Sequence, residues 1–409
     1  MLVAGGTVLV LGVMSALVKN RLIVSEGIVA LAVGVLLGPA VLAWIHIPGA
    51  KPHHWLGEVA RLTLAVALLA TSLRLPRGFL RERARSVTVL LAVAMPVMWL
   101  VASGLASGVL GVDWLTALLI GGILTPTDPV VASSIVTGRI AGEQLPARLR
   151  HILSCEAGAN DALAHPLIFL PVALLEHAPA TAAADWLLHE IVVSTLGGAL
   201  LGALVGFGTA RAVLRVQATW GVERPSHLTI TLAMAVMLLG AGGLLGTNEL
   251  LAVFVAGLVF KEVTDDEQQL RAENVPATAE RFLLFPVFVF FGAALPWRAW
   301  AESGWTMVSF ALAVLLLRRL PLMLILHRAV PAISGPSEAR FAGWFGPIGV
   351  AALFYAARLS ERLSDPWIFQ TASIVIASSV VAHGVTATPL VRAFGRGRRA
   401  GGSEHALQP

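Results

Sequence analysis

Two short stretches of this sequence place polar groups among residues that are otherwise almost all apolar. The first is Ile-Leu-Thr-Pro-Thr-Asp-Pro-Val-Val-Ala-Ser-Ser, residues 123–134. Pro126 and Pro129 each remove a main-chain N–H and disfavour helix at the residue before them, Thr125 and Asp128. A helix must unwind there and release carbonyls from their usual donors. The second stretch is Ser-Cys-Glu-Ala-Gly-Ala-Asn-Asp-Ala-Leu-Ala-His-Pro, residues 154–166. Glu156 and Asn160 lie four apart on one helical face, with Asp161 about 100° further round. An acid at the centre of a bilayer costs about 2.5–3.5 kcal/mol, so such residues mark ion or proton pathways. Glu156 has candidate counter-charges in Arg318 and Arg319, which are buried in another apolar run. Asp161 has no such partner and is the better candidate for chemistry.

The elements that must carry these groups follow from composition. Of 409 residues, 57% are hydrophobic and 13% charged, against about 25% charged in an ordinary soluble domain. The mean hydropathy is +0.81. This excludes a disordered tail, a DNA-binding domain and a conventional soluble enzyme, and points to an all-α polytopic membrane protein. The net charge of +5 does not imply a nucleic-acid partner, because the arginines sit in short gaps between apolar runs, as membrane topology requires. Cys155 is the single cysteine, which excludes an intrachain disulfide and a multi-cysteine zinc or iron–sulfur site. The first run, Leu2–Val18, lacks a basic leader and reads as a retained helix.

Thirteen candidate spans fall at roughly 2–18, 22–44, 55–74, 86–108, 114–137, 149–176, 186–210, 227–245, 248–260, 281–296, 304–327, 340–358 and 367–391. The run at 248–260 is too short to cross straight on its own, so twelve is the alternative count. With thirteen, 22 of the 29 Lys and Arg residues occupy one alternate set of gaps and four the other. The positive-inside rule then puts the N-terminus outside and the C-terminus in the cytoplasm. The gap at 261–280, with Asp265-Asp266-Glu267, reads as a solvated loop. The Gly- and Arg-rich tail after Phe394 is expected to lack order. Glu26 and Glu249 sit near span ends. His165 and His383 read as satisfied core histidines. Trp44, Trp55, Trp114, Trp186, Trp297, Trp305 and Trp367 read as an interfacial belt.

Span 12 contains a second break, Gly346-Pro347-Ile348-Gly349. It matches the break in span 5 and lies seven spans on, so the two run in opposite directions. Span 13 then corresponds to span 6. Paired interrupted helices in matching halves mark the midplane site of a secondary transporter, where helix dipoles and free carbonyls compensate charge.

Five segments occur here in the order seen in a known family: TPTDPV, EAGANDALAHP, LLLRRLP, GWFGPIGVAALFY and AHGVTATPL. Over spans 2 to 13 the chain resembles sodium/proton antiporters of the monovalent cation–proton antiporter-1 family, most of all the NhaP-type and fungal plasma-membrane branches. The resemblance implies the NhaA-like antiporter fold, with inverted-topology repeats and two discontinuous crossing helices. It implies that Asp161 binds the cation and the proton alternately, with Thr127 and freed carbonyls as further oxygen ligands. Asn160 would support the crossing through Thr127. Thr125, Pro126, Asp128, Pro129, Gly346 and Pro347 would support the breaks, with Asp128 capping or compensating the first. Glu156 would pair with a span-11 arginine, Arg318 in preference to Arg319. Residues 1–85 and 177–303 would form a dimerisation domain, 86–176 and 304–393 the two halves of a moving core, and 394–409 a disordered cytoplasmic tail. The chain would be a homodimer in the cell membrane, with lipid around it and no cofactor. It would exchange sodium or lithium for a proton, electroneutrally, in pH and sodium homeostasis. Two departures bear on cation preference and pH profile. Ala157 stands where bacterial members often have serine, and Ile348 where many have arginine.

Other readings are a potassium/proton or mixed-cation antiporter, which the same motifs allow, and an intramembrane aspartyl protease using Asp128 with Asp161. The protease explains neither Asn160 nor the repeat. A passive channel would need a filter segment, and none is recognisable.

Overall fold

The structure is a computed structural model, and it describes residues 25–45, 52–129, 131–132, 138–220, 226–264 and 275–405, with single positions at 5, 6 and 9. Span 1, apart from those three positions, and the run Asp265-Asp266-Glu267 lie outside the described residues. All regular structure among the described residues is helical. The main elements are α1 Glu26–Leu37, α2 Pro52–Arg74, α3 Ala84–Leu110, α4 Trp114–Ile123, α5 Ala147–Glu176, α6 Pro179–Thr219, α7 His227–Leu245, α8 Glu249–Thr264, α9 Val275–Ala293, α10 Trp305–Leu317, α11 Leu320–Leu326, α12 Pro336–Trp344, α13 Val350–Arg362 and α14 Pro366–His405. Seven described helices are individually long and apolar enough to cross a bilayer, and Phe282–Ala293 with Trp297–Ser303 forms an eighth candidate bent by 55°. The chain is a multi-pass, all-helical membrane protein.

Small residues set how closely these helices approach. Gly198, Gly202 and Gly206 recur every fourth residue on α6 and meet main-chain atoms of Asn248, Ala252 and Ala256. A side chain at any of the three would run into that backbone, so α6 and α8 pack at the distance glycine allows. α6 also contains a wide π-helical stretch, Trp186–Leu196. There the Ser194 carbonyl turns outward and accepts the N–H of Asn248 at 3.0 Å, joining α6 to the start of α8.

Around the other half, α4 packs on α3 and α5, while α10 packs on α3 and α14. α4 begins at Asp113, whose carboxylate accepts the N–H groups of Leu115 and Thr116 at 3.0 and 3.1 Å. A hydrogen bond from the Thr116 side chain, together with those N–H bonds, lowers the Asp113 carboxyl from its ordinary value. Trp44, Trp55, Trp114, Trp297 and Trp305 are exposed, as residues of an interfacial belt are. The tail expected to lack order is helical through His405, because α14 continues without a break past Phe394.

Candidate functional site

The chain leaves helical conformation at two places deep in the molecule. α4 ends at Ile123, and residues 125–128 are non-helical before a helical turn resumes at Pro129. α12 ends at Trp344, and residues 345–349 are non-helical before α13 starts at Val350. The two breaks meet, since the N–H of Asp128 donates to the carbonyl of Pro347 at 2.8 Å. Four helix ends therefore converge on one buried point.

Each end needs partners for its unpaired main-chain groups. Asp128 serves the two N-terminal ends. Its Oδ1 accepts the N–H of Val131 at 3.4 Å, in its own turn. Its Oδ2 accepts the N–H of Val350, the first residue of α13. Arg318 serves the two C-terminal ends. Its Nη1 donates to the carbonyls of Leu124, Thr125 (2.9 Å) and Pro126 (3.4 Å), and its Nη2 to that of Gly346 at 2.6 Å. The anion thus faces the positive ends of the helix dipoles and the cation the negative ends. Asn160 locks the first break from the side: its Oδ1 accepts the N–H of Thr127 at 3.1 Å and its Nδ2 donates to Thr127 Oγ1 at 2.7 Å. Thr125 closes the end of α4 by donating its hydroxyl to the Gly121 carbonyl at 2.7 Å.

The partner of Glu156 is Arg319, not Arg318. Nη1 and Nη2 of Arg319 reach Oε1 and Oε2 of Glu156 at 2.5 and 2.7 Å, a bidentate pair, and its Nε donates to the Ala342 carbonyl at 2.9 Å. The reason is local. The helix is interrupted at Arg318-Arg319 just ahead of Pro321, so the neighbours project to different places and Arg318 is taken up by carbonyls. The carbonyls that the first break frees at Leu124, Thr125 and Pro126 all accept from Arg318.

With Asp128 engaged by main-chain N–H groups and Glu156 paired with Arg319, Asp161 is left over. It is 0% exposed, and neither carboxylate oxygen has a hydrogen-bond partner among the described residues. It lies one residue past Asn160, beside the crossing. The hydroxyl of Tyr355, from α13, donates to its main-chain carbonyl at 3.3 Å. Thr127 Oγ1 accepts from Asn160 and keeps a further lone pair.

Sequence reasoning missed Ser379. Ser379 Oγ accepts the N–H of Ile348 at 2.7 Å and lies 3.1 Å from His383 Nδ1. His383 Nε2 is 2.9 Å from the Trp344 carbonyl. Nδ1 also lies 2.8 Å from the Ser379 carbonyl, so each ring nitrogen of His383 faces a main-chain acceptor. His383 thus links α14 to the end of α12 beside the second break. His165 stacks on Phe169 and lies 2.9 Å from Glu190. Glu249 is 3.5 Å from Arg61 and 3.9 Å from Arg358. Among the described residues no cluster of three or more His, Cys, Asp or Glu could hold a metal.

Known proteins resemble this chain in sequence and in fold. A family model described as sodium/hydrogen exchanger, transmembrane, matches residues 6–393. Na(+)/H(+) antiporter 2 of Zygosaccharomyces rouxii is 33% identical over 371 residues, covering 87% of this chain and 45% of the relative. The chain thus spans less than half the length of that relative. A Na(+)/H(+) antiporter of Schizosaccharomyces pombe is 29% identical over 424 residues, covering 96% of this chain and 89% of the relative. The solved sodium proton antiporter of Methanocaldococcus jannaschii superposes with a TM-score of 0.73 over 96% of this chain and 97% of its own, at 17% identity. The chain shares its fold.

Proposed function

The chain belongs to the sodium/hydrogen exchanger family, and from that premise we propose that it exchanges sodium for protons across the membrane by alternating access. It is a transporter, not an enzyme, and needs no cofactor. One observation carries the reading: Asp128, Glu156, Arg318 and Arg319 all have hydrogen-bond partners at the helix crossing, and Asp161 alone is buried with both oxygens unengaged among the described residues. An unmatched buried carboxylate is relieved by a proton or by a small cation, and one group cannot hold both. Asp161 is therefore the carrier, with Thr127 as a neighbouring oxygen ligand. Asn160 takes no proton, and Glu156 is committed to Arg319. A single titrating carrier makes the exchange electroneutral, one cation for one proton.

The finer architecture belongs to the same proposal. Thirteen spans, two of them discontinuous, form inverted repeats. Residues 86–176 and 304–393 move as a core against a dimerisation domain made of residues 1–85 and 177–303. The protein is a homodimer in the cell membrane, N-terminus outside. The protease alternative is weakened by Asp128, whose two oxygens are engaged by main-chain N–H groups of both breaks.

The test is cation-driven proton flux in proteoliposomes, with sodium, lithium and potassium supplied in turn. Sodium should drive flux without net current, and Asp161→Asn should abolish it in a protein that still melts cooperatively. Near wild-type exchange in a folded Asp161→Ala chain would remove Asp161 from the mechanism. Equal or greater flux with potassium would replace the sodium reading by the mixed-cation one.

A further inference from the structure

Pro166 lies inside α5 and has no N–H, so the carbonyl four residues earlier loses its helical donor. That carbonyl belongs to Ala162, the residue after Asp161. Its donor comes from elsewhere: Asn248 Nδ2 lies 2.8 Å away. Asn248 is 2% exposed and immediately precedes α8. Its Oδ1 accepts the N–H of Leu251 at 3.0 Å, capping that helix. Its main-chain N–H is held by the Ser194 carbonyl of α6, and Gly198 packs on its backbone. Both ends of one amide are thus in use. One end closes α8, and the other holds α5 beside the carrier.

We propose that Asn248 is a positioning residue for transport, setting the height of Asp161 along α8 by supplying the donor that Pro166 lacks. This rests on the exchange reading and on the division into core and dimerisation domain, since α5 belongs to the first and α8 to the second. The bond crosses the boundary along which the two must slide. It stabilises the conformation seen here and must break on the way to the other, so it biases the equilibrium between the two open states. A ligand-binding equilibrium shifts in proportion to such a bias. Asn suits the task because it is short and carries acceptor and donor together. Aspartate or serine can still cap but gives the carbonyl no amide donor.

Asn248→Asp and Asn248→Ser, reconstituted in oriented proteoliposomes, test this. The sodium concentration for half-maximal exchange should move in opposite directions on the two faces, by about tenfold in total, as loss of one hydrogen bond to a buried carbonyl implies. A role confined to capping α8 would leave both values unmoved in these variants, and that result overturns the proposal. Pro166→Ala returns an intrahelical donor to Ala162, so the Asn248→Asp shift should largely vanish in that background. Shifts that simply add also overturn it. If Pro166→Ala does not accumulate, the two-face measurement on Asn248→Asp and Asn248→Ser decides alone. A wild-type chain that exchanges no cation defeats the transport reading instead. The same double-variant cycle read in thermal melts then judges the bond, additive losses counting against it.

Discussion

The two breaks have similar shape and opposite chemistry. The first, at residues 125–128, brings its own side chains: Thr125 closes its helix, Thr127 meets Asn160, and Asp128 caps its own turn and the start of α13. The second, Gly346-Pro347-Ile348-Gly349, brings only main chain. Its carbonyls and N–H groups are served by Arg318, Asp128 and Ser379, all from other elements. Gly349 shows why. A Cβ there would collide with the Asp128 carboxylate, so a side chain on the second break would displace the cap of the first. One break is furnished and the other kept bare so that the two can cross.

The strongest way to break this comparison is to remove the group both breaks share on their negative ends. Arg318→Leu leaves four buried carbonyls without their donor. At about 1–3 kcal/mol for each unsatisfied group, the chain should fail to elute as a monodisperse species after detergent extraction. Arg318→Lys should be intermediate. A wild-type melting curve for Arg318→Leu would show that the crossing holds without it.

The neighbouring arginine should behave as half of a pair instead. Glu156→Ala and Arg319→Ala should each cost about 3–5 kcal/mol, since each leaves a buried charge uncompensated. The double variant should lose less than the two losses together, and strict additivity in thermal melts would dissolve the pair. Asp128→Asn keeps an acceptor but gives up the charge facing two helix ends, a loss of about 1–2 kcal/mol. Hydrogen exchange should quicken at Val131 and Val350 alike. A change at only one of them would mean that the breaks do not share this cap. The smallest effect separates the furnished break from the bare one. Ser379→Ala removes one bond to Ile348 and should lower stability by about 1 kcal/mol. Thr127→Val strips Asn160 of its acceptor and should reduce exchange much further than Ser379→Ala does. The reverse order would place chemistry on the second break.

Much of this was legible in the sequence because it is local. Pro126 and Pro129 force the first break by what they lack, and Asp128 before a proline is a helix-start signal that needs no tertiary knowledge. Glu156 and Asn160 on one face follow from helical periodicity. What stayed hidden depends on contacts far apart in the chain. Arg318 and Arg319 are adjacent, alike and both buried, and they are told apart by distant partners, the carbonyls of the two breaks for Arg318 and Glu156 for Arg319. The service of Arg318 to four carbonyls spans almost 200 residues on one side and leaves no local pattern. Asn248 carried a faint signal, a capping residue between glycine and an apolar run. Its second bond depends on a proline more than 80 residues earlier. The helical tail was missed because glycine and arginine composition argues against order only where no helix is already running.

Tyr355 is the chain's single tyrosine, and its hydroxyl rests on the main-chain carbonyl of Asp161. Growth on ring-deuterated tyrosine therefore labels one oscillator in this sequence, and it sits against Asp161. An infrared difference spectrum between acid and sodium-loaded samples would contain tyrosine bands from that place alone. The C–O stretch of a phenol responds to the hydrogen bond it donates, so its frequency reports directly on the Asp161 backbone. No cysteine need be engineered and no dye attached. The native chain already carries its own optical label, one hydrogen bond from the backbone of Asp161.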